Sequence, residues 1–202
     1  TALLLRNAEL LEETRNASIT DAVTQVRNRG YFERMLPVCV EEALKKQEEL
    51  CLCLCDIDYF KSYNGSCGHP AGDAALRQTA LLLRRGLKGS DIVARYGGDE
   101  FAIIMVNTSK ENAVRVAENL RLAVRTHRFS HGRGGGEHLT ISFGIASVPR
   151  DARTAEELMK KADEALYGAK AGGRDRVVAA QDQNQNLFTQ PSGPDPDAPK
   201  GL

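Results

Sequence analysis

The chain of 202 residues contains no tryptophan, few aromatic side chains of any kind (5%) and no net charge, its 27 Lys and Arg balancing 27 Asp and Glu. That balance excludes a nucleic-acid binder that works by neutralising a long run of phosphates. It leaves room for a local basic site that takes one small anion. No apolar run approaches the roughly 18 residues of a membrane span, so no membrane segment is expected in this chain. The start, Thr1-Ala2-Leu3-Leu4-Leu5-Arg6, is too short for a signal peptide and lacks a cleavage pattern. An initial Thr suggests a segment of a longer protein. Cysteine is scarce and odd in number (Cys39, Cys51, Cys53, Cys55 and Cys67), which does not suit a secreted disulfide framework. Cys51, Cys53 and Cys55 alternate with leucines, share one face of a strand, and read as small apolar core residues. A reducing, cytoplasmic setting is expected.

The hydrophobic fraction of 42% can build a core and excludes wholesale disorder. Residues 2–17 read as a helix, with Leu4, Ala8 and Leu11 at i, i+4 and i+7. A stripe this short does not stand alone in water. It is expected to pair with a partner helix as the end of a coiled coil that signals to the rest of the chain. Residues 18–28 are polar and irregular, and a helix fits 29–48. Residues 50–57 form an uninterrupted apolar strand ending in Asp56-Ile57-Asp58, so it is covered on both faces and central. A loop with Gly65, Gly68, Pro70 and Gly72 leads into a helix over 71–86. Strands at 91–96 and 101–106 flank Gly97-Gly98 in a hairpin. Ser109 caps a helix to 126 that turns Ala113, Val116, Leu120 and Ala123 inward.

Gly132 to Gly136 mark a second turn, and Leu139 to Ala146 a strand. The capping box Thr154-Ala155-Glu156-Glu157 opens a helix with Leu158, Ala162, Ala165, Leu166 and Ala169 on one face. Gly172-Gly173 stop it, and Val177-Val178 form a last strand. From Gln181 the composition turns to Gln, Asn, Ser, Gly and Pro, the signature of a flexible tail over 181–202. The order of elements is that of an α+β layered domain.

Two features carry chemistry. Asp56 closes the buried strand, and Asp99 and Glu100 sit in the hairpin Arg95-Tyr96-Gly97-Gly98-Asp99-Glu100-Phe101. If the hairpin lies beside the strand, Asp56 and Asp99 face each other, and two carboxylates that close repel unless a cation or a proton lies between them. Oxygen ligands with room for phosphate suit Mg²⁺ rather than Zn²⁺, and such a site serves phosphoryl or nucleotidyl transfer. Gly97 and Gly98 let backbone approach a bulky ligand. Spacing alone also fits ordinary turn chemistry after a strand.

Taken together, the ordered blocks resemble the GGDEF-domain diguanylate cyclase family. They run from Asp21-Ala22-Val23-Thr24 and Arg27-Asn28-Arg29 through Asp56-Ile57-Asp58-Tyr59-Phe60-Lys61, Asn64 and Gly68-His69-Pro70-Ala71-Gly72-Asp73. They continue through Ala94 to Phe101 and Thr140 to Ala146, and end in Ala162 to Tyr167, Ala169-Lys170 and Gly173-Arg174. The blocks cover 20–178, within a domain expected over 18–180. The resemblance implies a mostly antiparallel central sheet surrounded by helices, related to the adenylyl cyclase and polymerase palm. It implies condensation of two GTP into cyclic di-GMP and two pyrophosphates at a head-to-head homodimer, driven by an upstream sensor.

The resemblance also implies roles for individual residues. Asp56, Asp99, Glu100 and the Ile57 carbonyl hold Mg²⁺, with Mn²⁺ as the alternative, and Asp99 removes the proton of the 3′-hydroxyl. Backbone N–H groups near Tyr59, Phe60 and Lys61 take phosphate oxygens, and Lys61 stabilises their charge. Lys170 and Arg174 reach the terminal phosphates. Asn64 and a buried Asp73 read guanine, and Gly97 and Gly98 line the substrate; His69 is counted with the substrate-binding residues, where it is expected to brace the loop after Asn64. The window Lys88-Gly89-Ser90-Asp91 departs from the family's inhibitory Arg-x-x-Asp, and lysine lacks the planar fork of arginine. Tight product inhibition through this window is therefore not expected. The competing readings are a non-catalytic GTP or cyclic di-GMP binding module and a cyclase that joins guanine to adenine nucleotides.

Overall fold

The structure is a computed structural model that describes residues 19–130 and 136–181. The helix expected over 2–17, most of the turn after Gly132 and all but the first residue of the expected tail lie outside the described residues. The elements are β1 (Arg27–Asn28), α1 (Arg29–Lys46), β2 (Leu50–Ile57), α2 (Phe60–Cys67), α3 (His69–Arg85), β3 (Ile92–Arg95) and β4 (Glu100–Met105). They continue with α4 (Lys110–Thr126), β5 (Phe129–Ser130), β6 (Gly136–Glu137), β7 (Ile141–Val148), α5 (Ala155–Ala171) and β8 (Val177–Ala179).

One six-stranded sheet, in the order β1-β3-β4-β2-β7-β8, carries the fold. Its inner pairs are antiparallel, and the edge strands β1 and β8 run parallel to β3 and β7. Strand β2 is central, paired with β4 on one edge and β7 on the other, and helices packed on both faces of the sheet shield it from water. This explains why its sequence shows no polar alternation. Its two faces nevertheless sort cleanly. Cys51, Cys53, Cys55 and Ile57 point to a core shared with Leu76, Leu83, Ala117 and Leu120 of α3 and α4. Leu50, Leu52 and Leu54 point to a second core with Phe32, Leu36, Leu158 and Ala162 of α1 and α5. The thiols of Cys51, Cys53 and Cys55 are free and buried, and burial pushes that of Cys51 up to about 12, which removes their nucleophilicity.

Local signals set the helix ends. The Asn28 side chain accepts the Tyr31 N–H at 2.9 Å and starts α1. Ser109 and Thr154 cap α4 and α5 in the same way. Two expectations change. Residues 60–67 form the helix α2 where only a loop was expected, and α4 buries Ala117 and Val124, with Val116 and Ala123 only partly covered. The α4 stripe is wide, and packing on the sheet selects one edge of it.

Helix α5 lies directly on β7 because Gly144 has no side chain. A Cβ there would strike the Leu166 N and the Ala162 O, both backbone atoms that cannot swing aside. Gly144→Ala is expected to destabilise the domain by about 1–3 kcal/mol or more, read as a lower urea midpoint with an unchanged slope. A midpoint equal to that of the unsubstituted chain would contradict this packing.

Candidate active site

Asp56 continues the series Leu50, Leu52, Leu54 on the α5 side of β2, at the point where the strand leaves the core. In the β2–β4 register its cross-strand partner is Glu100. The expectation that Asp99 faces Asp56 directly is corrected by the pleat. Asp99 stands one residue earlier, where its carbonyl accepts the Ile57 N–H at 3.2 Å, and it lines a cleft beside α2 and α3. Lys170, in the last turn of α5, places its Nζ 2.9 Å from Asp56 Oδ2. The Asp56 side chain is only 13% exposed. Burial pushes its carboxyl above the usual range, Lys170 opposes that shift, and the charges of Asp99 and Glu100 add to it.

The cleft has a volume of about 350 Å³ and is lined by Phe60, Lys61, Asn64, His69, Asp73, Leu76, Arg95, Gly98 and Asp99. Its wall is the pair α2 and α3. Tyr59 adopts a left-handed conformation (φ 56°) at the N-cap of α2 and offers no side-chain acceptor to the first turn. The first-turn N–H groups of α2 thus have no cap, which suits an anion. The Asn64 side chain lies where a Cβ on residue 72 would be, so Gly72 leaves the amide its place and a larger residue would displace it. Asn64 Oδ1 is buried with no partner. A buried acceptor left unmatched invites a ligand donor.

Lys61, His69 and Asp73 are exposed on the rim. Asp73 was expected to be buried and His69 to brace the loop. Both occupy the first turns of α3, whose inward positions belong to Ala71, Gly72 and Ala75. A Cβ at Gly97 would meet the end of the Glu100 side chain, which would have to move, whereas the space over Gly98 is open. Arg174 is held with its guanidinium 4.6 Å from the Tyr59 ring centroid. The structure thus brings Asp56, Ile57, Asp99, Glu100 and Lys170 to one end of the sheet and sets Lys61, Asn64, His69 and Asp73 around the adjoining cleft.

Two residues of this region escaped notice in the sequence. Arg95 donates to the Gly98 carbonyl at 2.8 Å and to both Asp21 carboxylate oxygens at 3.2 and 3.3 Å. It ties the turn that precedes β1 to the glycine hairpin. Asp21 resists the upward pull of burial because the Thr24 hydroxyl, the Thr24 N–H and Arg95 hold its carboxyl low. The spacing Asp21-x-x-Thr24 is the available signal for that turn. The other residue is Asp58, whose bonds are described below.

At the window 88–91, the Asp91 carboxylate accepts the Lys88 and Val106 backbone N–H groups. Lys88 Nζ is drawn to Thr108 Oγ1 at 3.2 Å and to the Asn107 carbonyl at 3.5 Å. A separate cleft of about 560 Å³ lies beside it, with Arg27, Tyr31 and Arg84 in its wall.

Among the described residues, no three His, Cys, Asp or Glu side chains are already gathered as a metal cage. The donor set at the end of β2 still suits a hard cation. Three carboxylates, one of them driven toward protonation, share one end of the sheet, where the Lys170 ammonium pairs with Asp56. Their oxygens are the ligands Mg²⁺ and Mn²⁺ take.

A mixed sheet flanked by helices on both faces, with acidic groups at the mouth of its central strand beside a polar cleft, defines an α+β domain with a candidate active site at one sheet end. The family model described as "Diguanylate cyclase, GGDEF domain" matches residues 18–176, and the chain belongs to that family. It is 38% identical over 170 residues to the response regulator PleD of Caulobacter vibrioides, covering 83% of this chain and 37% of that protein. It is 34% identical over 183 residues to diguanylate cyclase A of Treponema denticola, covering 89% of this chain and 48% of that protein. The chain therefore spans less than half the length of these curated relatives. A crystal structure of the coiled coil and GGDEF domain of DgcB from Caulobacter crescentus, in complex with c-di-GMP, superposes with a TM-score of 0.83 at 33% identity, covering 89% and 95% of the two chains.

The raised Asp56 carboxyl carries a stability consequence. Below the pKa of the unfolded chain Asp56 is protonated in both states and costs nothing. As pH rises through its folded pKa the native state must ionise it against burial, and stability is lost. Asp56→Asn is therefore expected to lose less Tm between about pH 4 and pH 7 than the unsubstituted chain, both without divalent cations. Calorimetry across that range checks it, and an equal or steeper loss in the variant would refute the electrostatic account.

Proposed function

We propose that this chain is a diguanylate cyclase unit: it condenses two GTP into cyclic di-GMP with release of two pyrophosphates, at a head-to-head homodimer. The observation that carries the reading is the gathering of Asp56, Glu100, Asp99 and Lys170 at the sheet end, next to a cleft that holds Asn64 and Asp73. Each chain holds one GTP, with the guanine between Asn64 and Asp73. The unmatched Asn64 Oδ1 accepts from the base, and Asp73 accepts from N1–H and the 2-amino group, an edge that adenine lacks.

The triphosphate lies on the uncapped N–H groups of Tyr59, Phe60 and Lys61, with the Lys61 ammonium over it and Lys170 and Arg174 at its far end. Asp56, the Ile57 carbonyl, Asp99 and Glu100 would hold a divalent cation, Mg²⁺ or Mn²⁺, which supplies Lewis-acid polarisation of the phosphate oxygens. Asp99, on the cleft side of the hairpin, is placed to take the proton of the 3′-hydroxyl as that oxygen attacks the α-phosphorus of the GTP on the facing chain. Gly97 and Gly98 keep the hairpin thin enough for the two nucleotides to meet. Residues 18–180 form this catalytic unit. Residues 1–17 are read as the end of a helix that relays an upstream sensor, and 181–202 as a tail.

Purified protein given GTP and Mg²⁺ is expected to yield cyclic di-GMP and pyrophosphate by chromatography, faster than in proportion to protein concentration. Asp99→Ala is expected to lower turnover by about 10²–10⁴-fold while GTP binding survives. Binding of GTP without any dinucleotide product would favour the non-catalytic module, and turnover retained in Asp99→Ala would refute the site.

Product inhibition is expected to be weak, because Lys88 is engaged by Thr108 and Asn107 and cannot grip a guanine edge in two places. Lys88→Ala is accordingly expected to leave the inhibition constant for added cyclic di-GMP within about twofold of the unsubstituted value, a change of less than ~0.5 kcal/mol. Tight inhibition that Lys88→Ala abolishes would overturn this.

A further inference from the structure

We infer that Asp58 is a positioning residue for the triphosphate, one that locks the turn carrying the phosphate-binding amides to the turn carrying Arg174. The inference rests on the GTP reading above.

Asp58 is 3% exposed and lies outside the cleft, so it touches no substrate. A carboxylate so buried is expensive to desolvate, and one that served only to end β2 would sit in water. Here it is fully engaged. Oδ1 accepts the Ser142 hydroxyl at 2.8 Å. Oδ2 accepts the Thr140 hydroxyl at 2.7 Å and the Asp175 backbone N–H at 3.0 Å. The first two partners belong to β7 and the segment before it, and the third to the turn between α5 and β8.

Both turns joined by Asp58 are strained. Tyr59 follows it at φ 56°, and Arg174 and Asp175 stand at φ 62° and 45°. Non-glycine residues persist in the left-handed region only where their surroundings over-determine them. Asp58 supplies one such determinant from inside. The Tyr59–Arg174 stack supplies another from outside, with an Arg174 N–H directed to the Tyr59 hydroxyl at 3.4 Å. A third comes from α4, where Arg121 and Arg125 hold the Asp175 carboxylate at 2.6 and 3.1 Å.

Tyr59 stands at the N-cap of α2, whose first turn has no side-chain cap, and the Arg174 guanidinium lies over the Tyr59 ring beside it. Asp58 fixes their separation. It sets how well one triphosphate satisfies both turns at once, and it has no bearing on the base or on a lone α-phosphate.

The test is the preference for triphosphate over monophosphate. The full chain is titrated calorimetrically, with Mg²⁺, against the α,β-methylene analogue of GTP and against GMP. Asp58→Asn keeps the shape but removes the charge and one acceptor: with its NH2 turned to the Ser142 hydroxyl, which can accept it, only a neutral and weaker oxygen is left for Thr140 and the Asp175 N–H. It is expected to reduce the analogue-to-GMP affinity ratio by about tenfold, with GMP affinity unchanged and KM for GTP raised more than kcat is lowered. Asp175→Asn tolerates the left-handed conformation and loses the two arginine pairs. It is expected to lower the ratio in the same direction by about threefold.

A loss of affinity for both ligands in equal proportion, or an unchanged ratio, overturns the inference. If Asp58→Asn does not fold, Asp175→Asn and Ser142→Ala decide by the same ratio. Failure of the GTP reading is a separate result: the unsubstituted chain would then show no triphosphate preference and form no cyclic dinucleotide.

Discussion

Acidic side chains crowd against one another where the central strand β2 leaves the core. Asp56 stands opposite Glu100, Asp99 lies one residue beyond, and Lys170 pairs with Asp56. Two apolar cores enclose the strand up to this point, so the carboxylates are partly stripped of water before they meet. Low local dielectric makes their repulsion costly. Such a cost persists in a protein when a ligand that relieves it is part of the function. Crowding of this kind is relieved by a cation or by a proton.

The remaining architecture keeps that crowding in place. Gly144 lets α5 lie against β7, which brings Lys170 to the sheet end. Gly97 makes room for the Glu100 carboxylate, and Gly72 for the Asn64 amide. Arg95 fastens the hairpin to the turn that precedes β1, so the segment through which the chain enters the domain is mechanically continuous with the acidic hairpin. Asp58, just past β2, does the same for the turns at Tyr59 and Arg174. Its three side-chain hydrogen bonds reach β7, the segment before it and the turn before β8.

Much of this was legible in the residues. The strand at 50–57 and the caps at Ser109 and Thr154 stand where the patterns place them. The inward face of α5 is the one expected from Leu158 to Ala169. Helix α2 was not legible, because Ser62, Asn64, Gly65 and Ser66 are weak helix formers. It exists because Phe60 and Tyr63 are buried against the α3 side of the core, a tertiary gain that overrides propensity. The α4 face came out one position away, since alanine and valine occupy both sides of its apolar stripe. Asp73 was expected in a buried site and stands exposed on a rim, because helical phase and not residue type decides which side of a first turn faces inward.

By itself the chain's sequence determined its family, the order of its elements, the shared face of the three strand cysteines and the stock of acids, amides and cations available for chemistry. These are matters of composition and local period, which a short window contains. Only the tertiary structure decided that Glu100 rather than Asp99 opposes Asp56, that Lys170 pairs with Asp56, that Lys88 turns toward Thr108, and that Asp58 bonds a residue 117 positions away. Cross-strand register and the meeting of distant turns depend on how whole elements pack, and that information is not held in any one stretch of chain.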